Sequence, residues 1–260
     1  MKVILLCGGI GYRLKEETEF KPKPMVHVGG KPILWHIMKI YAHYGYNDFI
    51  IALGYKADYI KQYFLNQKHF AYNFTLHTRT GFTKVYKNTS NEKDDFKITF
   101  VDTGEETLVG ERILRLKEFI PKEDEDFMVT YGDGVSDIDI NELIKFHRKN
   151  KTIGTVSGVH PRSKYGLFTT DKNGIVNKFI EKPVLTEWVN GGFMVFKRNF
   201  FTYLREKELE HEAFKRLILE NQLSLFTHEG FWFAIDTYKE LDELNEIWNA
   251  GNSPWKIWKE

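Results

Sequence analysis

The 260-residue chain has a single cysteine, Cys7, so an internal disulfide is excluded. That fits a reducing compartment, and Cys7, lying inside an apolar run, reads as a small buried hydrophobe. Net charge is also missing: 37 Lys+Arg against 36 Asp+Glu leave +1. No whole-protein field draws in a nucleic-acid backbone or an anionic membrane, and any anion is bound by a local site. No stretch approaches the ~18 apolar residues of a membrane span. Val3-Ile4-Leu5-Leu6-Cys7, directly after Met1-Lys2, is too short for the apolar region of a signal peptide. The expectation is a complete cytoplasmic protein with neither nucleic acid nor membrane as partner. Internal repeats and low-complexity segments are absent, and the nine histidines show no metal-ligand spacing. His27 and His160 alone lie near segments argued below to form a site.

What is present, 42% hydrophobic and 28% charged residues, describes a globular chain. Over residues 1–150 short apolar runs bounded by turn residues alternate with segments of helical period, which argues for βαβ units around a mostly parallel sheet. Strands are predicted at 3–7, 48–53, 74–77, 97–101 and 127–131. Helices are predicted at 32–44, 57–65, 109–119 and 140–148. Residues 80–95 break the rhythm with Gly, Thr, Asn, Ser, Lys and Asp and read as an exposed loop or protruding hairpin, a candidate contact arm between subunits. From 151 to 260 the chain turns to short strands at 153–159, 166–170, 176–180 and 192–196, with helices near 199–204 and 212–221. A last helix opens at Ile235-Asp236-Thr237 and runs to Trp248, before a Trp-rich tail. The class is α/β, one domain over 1–260, with 1–150 as the nucleotide-binding half and 151–260 as the acceptor-binding half.

Two motifs carry chemistry. Cys7-Gly8-Gly9-Ile10-Gly11-Tyr12-Arg13 follows a buried strand; its glycines let the backbone approach a phosphate chain and offer N–H groups, and Arg13 adds a fork of donors. A dinucleotide fingerprint would need glycine at position 14, which is Leu14, and a P-loop would need Gly-Lys-Ser/Thr, which is absent. Eight residues on, Lys21-Pro22-Lys23-Pro24-Met25 holds each lysine extended before a proline, so that one lysine faces the loop; Lys23 is assigned to the site. Asp137-Ile138-Asp139 has the spacing of a metal-binding Asp-x-Asp, but it precedes the 140–148 helix and is expected to cap it. Lys122-Glu123-Asp124-Glu125-Asp126 reads as a solvated charge run.

Together the glycine loop ending in Arg13-Leu14 and the Pro-flanked Lys23 resemble the sugar-nucleotidyltransferase signature. Downstream, Leu34-Trp35-His36-Ile37-Met38, Val101-Asp102-Thr103-Gly104, Thr130-Tyr131-Gly132-Asp133-Gly134, Phe179-Ile180-Glu181-Lys182-Pro183, Asn190-Gly191-Gly192-Phe193 and Gly230-Phe231-Trp232 to Asp236-Thr237 are similar, in that order, to glucose-1-phosphate cytidylyltransferases. The resemblance spans essentially the whole chain. It implies a GT-A-like (Rossmann-like) fold with a mostly parallel mixed sheet, and cytidylyl transfer from CTP to a small phosphorylated acceptor with Mg²⁺. It implies catalytic roles for Arg13 and Lys23, and nucleotide contacts from Leu6, Cys7, Gly8, Gly9, Ile10, Gly11, Tyr12, Arg13, Lys23, Thr107, Gly110, Arg112 and Gly132. Tyr131, Arg162, Glu181, Lys182 and Asn190 are implied for the acceptor, and Asp133 and Asp236 for the metal. Asp133 sits at the C-terminal end of a strand, where α/β sheets place their sites. Base recognition falls on 107–112, with donors such as Arg112 or a loop N–H meeting the cytosine acceptors.

The chain departs from the pattern in places. Tyr12 stands where a small hydroxyl residue is usual, His160-Pro161-Arg162-Ser163-Lys164-Tyr165-Gly166 is more basic than usual, and Phe233-Ala234 replaces Gln-Pro. A lost amide beside the acceptor pocket removes a partner for sugar hydroxyls. The departures also make the chain similar to the bacterial relative that cytidylylates L-glutamine phosphate for capsule phosphoramidate synthesis, with Arg162 or Lys164 to meet that acceptor's carboxylate. The sequence therefore leans to a non-sugar acceptor over glucose 1-phosphate. A non-catalytic nucleotide-binding regulatory subunit is the reading of another class, and Arg13, Lys23, Asp133 and Asp236 together speak against it. The 80–95 loop and the apolar tail suggest a homo-oligomer.

Overall fold

Alternate residues of the apolar run at the N-terminus face opposite sides of one sheet, and both sides are covered. Val3, Leu5 and Cys7 belong to one buried cluster, with Ile37, Tyr41 and Leu244. Ile4 belongs to another, with Ile50, Ile113 and Phe200. A strand buried on both faces has no use for polar alternation, which is why this run is continuous. The computed structural model describes all residues except 10, 12, 13, 15–17, 87–93, 205–207 and 260.

The first half runs β1 (Val3–Cys7), α1 (Ile33–His43), β2 (Asp48–Leu53), α2 (Ala57–Ala71), β3 (Lys97–Asp102), α3 (Val109–Arg115), β4 (Asp126–Tyr131) and α4 (Ile140–Asn150). The second half adds β5 (Gly154–Val159), β6 (Val189–Lys197), β7 (Leu223–His228) and α5 (Tyr238–Asn249). Among the described residues these strands form one seven-stranded sheet in the order β7-β5-β6-β4-β1-β2-β3. All neighbours are parallel except the two pairs that β6 makes, with β4 and β5. The fold is thus a single α/β domain with a mostly parallel sheet, in which β4 and β6 join the two halves edge to edge.

Several elements differ from the sequence reading. The predicted strand at 74–77 leaves the sheet: Asn73–His77 pairs antiparallel with Phe82–Tyr86 as an exposed hairpin. Residues 80–86 are the turn and second arm of that hairpin, and 87–93 lie outside the described residues. Beyond them Asp94 accepts from the Trp35 indole at 2.6 Å and from Lys39 at 3.2 Å. The 109–119 helix stops at Arg115 and continues as a short 3-10 turn, Lys117–Phe119. In the second half, Leu167–Thr170 and Val176–Ile180 form another exposed hairpin. Arg198–Tyr203 is a 3-10 helix, and Leu209–Phe214 is a π-helical turn leading into Lys215–Leu219. Strand β7 carried no clear signal because, paired on one side only to β5, it is half-exposed along its length.

The tail does not present an apolar surface. Trp255 is fully buried and Trp258 nearly so, both in the cluster under α1. The Trp255 indole donates to His36 Nδ1 at 3.3 Å, while His36 Nε2 donates to the Val28 carbonyl at 2.9 Å. The neutral imidazole is therefore used on both nitrogens, and burial pulls its pKa down to about 4. The tail completes the chain's own core and gives no argument for a homo-oligomer.

Candidate active site

Two clefts open at the C-terminal ends of β1 and β4. The larger, about 400 Å³, is walled by Leu6, Cys7, Gly8, Gly9 and Gly11 together with Lys23, Thr107, Arg112 and Gly132. Beside it lies a cleft of about 280 Å³ walled by Tyr131, Asn190, Gly191, Gly192, Trp232, Ala234 and Asp236. Tyr131 and Asp133 belong to both walls, so the two spaces adjoin.

Lys23 stands at that junction. Pro22, with φ −68° and ψ 150°, delivers the chain extended into a one-turn 3-10 helix, Lys23–Met25. The Lys23 ammonium donates to Asp133 Oδ2 at 2.6 Å and to Asp236 Oδ1 at 2.9 Å. Burial works against its charge, but the two carboxylates outweigh burial and raise its pKa above the ordinary lysine value. The two aspartates meet because Gly134–Ser136 pairs antiparallel with Trp232–Ala234, in a register that sets Gly134 opposite Ala234. The next pair outward is closed by the Ile235 N–H donating to the Asp133 carbonyl at 3.0 Å.

Helix capping is the ordinary use of an aspartate just before a helix, and the structure gives that task to other residues. Thr237 caps α5: its hydroxyl accepts from Glu240 N, and Glu240 Oε2 accepts from Thr237 N at 2.8 Å and Asp236 N at 2.7 Å. The Asp236 carboxylate is thereby left to Lys23 and to Lys164, whose ammonium lies 3.5 Å away and also pairs with Glu240 at 3.3 Å. Asp139 caps α4 by accepting from Glu142 N, and Asp137 meets His228 Nε2 at 2.8 Å. The Asp-x-Asp spacing at 137–139 therefore serves a cap and a loop contact.

Arg112 has a different environment from the one the sequence suggested. It lines the larger cleft, yet its guanidinium is spent on the protein. Nη1 donates to Leu53 O at 3.2 Å, Thr103 Oγ1 at 2.8 Å and Gly104 O at 2.5 Å; Nη2 donates to Gly8 O at 3.1 Å and Glu105 O at 2.7 Å. It ties the ends of β1, β2 and β3 together beneath the cleft. A Cβ at Gly8 would collide with this guanidinium, so glycine at position 8 is required by the packing of Arg112.

The nucleotidyl transferase family model matches residues 2–247, nearly the whole chain. The chain belongs to the nucleotidyl transferase family. It is 42% identical over 261 residues to a probable glucose-1-phosphate cytidylyltransferase of Bacillus subtilis, covering 99% of this chain and 100% of that one. It is 39% identical over 262 residues, 100% of both chains, to the glucose-1-phosphate cytidylyltransferase of Salmonella typhimurium. In fold it is similar to a crystal structure of a putative glucose-1-phosphate thymidylyltransferase from Bacillus anthracis, with a TM-score of 0.69, 17% identity and coverage of 100% of this chain and 97% of the other.

As a nucleotidyltransferase the chain is an enzyme, and such enzymes generally work with a divalent metal. Its donors fit one: carboxylate oxygens are the hard ligands such a cation takes, and Asp133 and Asp236 turn theirs to a common point. Among the described residues no group of three or more His, Cys, Asp or Glu side chains clusters as a metal site. Two carboxylates suit an ion that takes its remaining ligands from substrate phosphates and water.

The other site residues named from sequence divide by location. In this nucleotidyltransferase Tyr131 and Asn190 wall the smaller cleft, whereas Arg162, Glu181 and Lys182 are not among its walls. They lie on the segment that carries the exposed 167–180 hairpin. Gly110 is buried within α3 and is not a wall of the larger cleft. Ile10, Tyr12 and Arg13 lie outside the described residues. Phe233, read from sequence as the site of a lost amide, does not wall the smaller cleft: alternation along Trp232–Ala234 sends Trp232 and Ala234 to it. Phe233 packs on the core, its ring stacked on Phe231. Nothing at position 233 therefore weighs against a sugar acceptor. Glu105, Glu106, Trp232 and Glu210 were not singled out from sequence; only Trp232 lay within a quoted motif, and nothing local marked the other three.

Proposed function

We propose that this nucleotidyltransferase transfers CMP from CTP to glucose 1-phosphate, with Mg²⁺, forming CDP-glucose and pyrophosphate. One observation carries the reading: two adjoining clefts share Tyr131 and Asp133 with Lys23 at their junction, in a chain similar end to end to glucose-1-phosphate cytidylyltransferases. Those relatives favour the hexose phosphate over L-glutamine phosphate. The acceptor phosphate, with a second pKa near ~6, is largely dianionic at neutral pH and attacks without a protein base. An acceptor oxygen forms a bond to the α-phosphorus of CTP, the bond from that phosphorus to the bridging oxygen breaks, and pyrophosphate leaves with the electron pair. Catalysis is then positioning and charge neutralisation.

The glycine-loop N–H groups and Arg13 are assigned to the β and γ phosphates, and Lys23 to the α-phosphate and the bridging oxygen. Asp133 and Asp236 are assigned to the metal, which when bound neutralises triphosphate charge. Tyr131 and Asn190, in the wall of the smaller cleft, are assigned to the acceptor, and Lys182, Glu181 and Arg162, outside that wall, are proposed to reach it from the 162–182 segment. Because the Arg112 donors are spent on carbonyls, we assign the cytosine acceptors to backbone N–H groups of the cleft wall. The cytoplasm is the assigned compartment.

The test is pyrophosphate release by purified protein with CTP and Mg²⁺, comparing glucose 1-phosphate, L-glutamine phosphate and no acceptor. Release with glucose 1-phosphate alone supports the reading. Release with L-glutamine phosphate alone replaces the acceptor, and release with neither removes cytidylyl transfer as the function.

A further inference from the structure

Tyr131 ends β4 and forms part of both clefts, so its orientation bears on where an acceptor sits beside the nucleotide. Its ring is fixed from two sides. Gly192 has φ +84°, and a Cβ there would come within 2.8 Å of Tyr131 Cδ2, so the ring occupies space that any side chain would take. On the other side the phenol donates to Glu210 Oε1. Asn190, a wall residue of the smaller cleft, lies beside the phenol and accepts on its Oδ1 from the Gly192 N–H at 2.9 Å. Glu210, Tyr131, Asn190 and Gly192 therefore form one connected set of contacts behind the acceptor cleft.

Glu210 reaches Tyr131 from the π-helical turn Leu209–Phe214, a rare geometry found frequently at functional sites. Leu209, Ala213 and Phe214 of that turn are buried in the core, while Glu210 is exposed. The turn is thus held by its apolar neighbours, and the Glu210 carboxylate contributes a contact to the site and none to the core. Held by the Gly192 backbone on one side and by the Glu210 carboxylate on the other, the phenol keeps the cleft wall in one arrangement.

We infer that Glu210 is a positioning residue for acceptor recognition, acting through Tyr131. The inference rests on the proposed transfer from CTP to a phosphorylated acceptor. Glu210→Ala and Tyr131→Phe remove the same hydrogen bond, so each raises the acceptor KM about tenfold, equivalent to about 1.4 kcal/mol. The CTP KM of Glu210→Ala stays within about twofold, and its unfolding midpoint is unchanged. Because the two residues act as a unit, the double variant is no worse than either single one. Glu210→Gln, whose amide oxygen still accepts from the phenol, restores most of the acceptor KM.

Steady-state pyrophosphate release over a matrix of CTP and glucose 1-phosphate reads all of these. Acceptor and CTP KM rising together in Glu210→Ala, single effects that multiply in the double variant, or Glu210→Gln behaving as Glu210→Ala would each overturn the inference. Where the wild type uses L-glutamine phosphate, the same ratios are read with that acceptor, and only the acceptor assignment falls. A wild type silent with both phosphates takes the inference down together with the reading, whereas an active wild type with indifferent variants removes the inference alone.

Discussion

Lys23 and Asp236, 213 positions apart, meet at 2.9 Å across the junction of two clefts. A single ammonium there bridges two carboxylates and itself stays largely buried, its side chain 13% exposed. Each member is therefore costly to remove alone, since a partner charge is left with poor solvation.

Replacing Lys23 with Ala is expected to lower kcat about 10²- to 10³-fold, the usual loss when one preorganised donor to a developing charge is deleted. CTP binding by calorimetry should change only a few-fold, because the charge matters most in the transition state. Unchanged turnover would remove Lys23 from the mechanism.

Asp236 and Thr237 are neighbours with separable tasks, and two variants tell them apart. Thr237→Ala deletes the α5 cap and should cost about 1 kcal/mol in urea unfolding with little change in metal requirement. Asp236→Asn should raise the Mg²⁺ concentration needed for half-maximal activity while unfolding stays cooperative. An Asp236→Asn protein as active as wild type at low Mg²⁺ would contradict the ligand assignment.

Arg112→Met removes a charged donor shared by the carbonyls of Gly8, Leu53, Gly104 and Glu105, of which Gly8 keeps the Tyr55 N–H and Leu53 keeps Thr103. Loss of about 3 kcal/mol is expected, because several hydrogen bonds to a charged group are lost at once. Chemical denaturation measures it, and a loss below about 1 kcal/mol would show that the guanidinium is not the tie between the three strand ends.

His36 sets an acid limit on stability. Its folded pKa of about 4 lies below the ordinary 6.5, so the unfolded chain binds the proton first. Its contribution is fully present above pH 6.5 and is lost as pH falls toward 4, by up to about 3 kcal/mol. Urea midpoints at pH 7, 5.5 and 4.5 should fall in that order. His36→Phe should flatten the dependence, because the titrating group is gone; an equally steep profile would place the acid sensitivity elsewhere.

The sequence by itself determined the strands and helices whose patterns are strong: the continuous run at 3–7, the apolar stripe of α1, and the Gly132-Asp133-Gly134 stop after β4. Local sterics and burial on both sheet faces write such patterns into adjacent residues. It also determined the family, because the glycine loop and Lys23 stand at a spacing that few chemistries need. Tertiary structure alone decided which charges meet. The pairing of Gly134–Ser136 with Trp232–Ala234 brings Asp133 to Asp236, capping by Thr237 leaves the Asp236 carboxylate to the lysines, and strand alternation turns Phe233 to the core. Arg112 carries the clearest lesson: an arginine near a nucleotide loop reads as a ligand from its neighbours in sequence, yet five acceptors from three chain segments claim its donors. Hydrogen-bond partners that distant in sequence are set by how the sheet closes, and no local pattern records them.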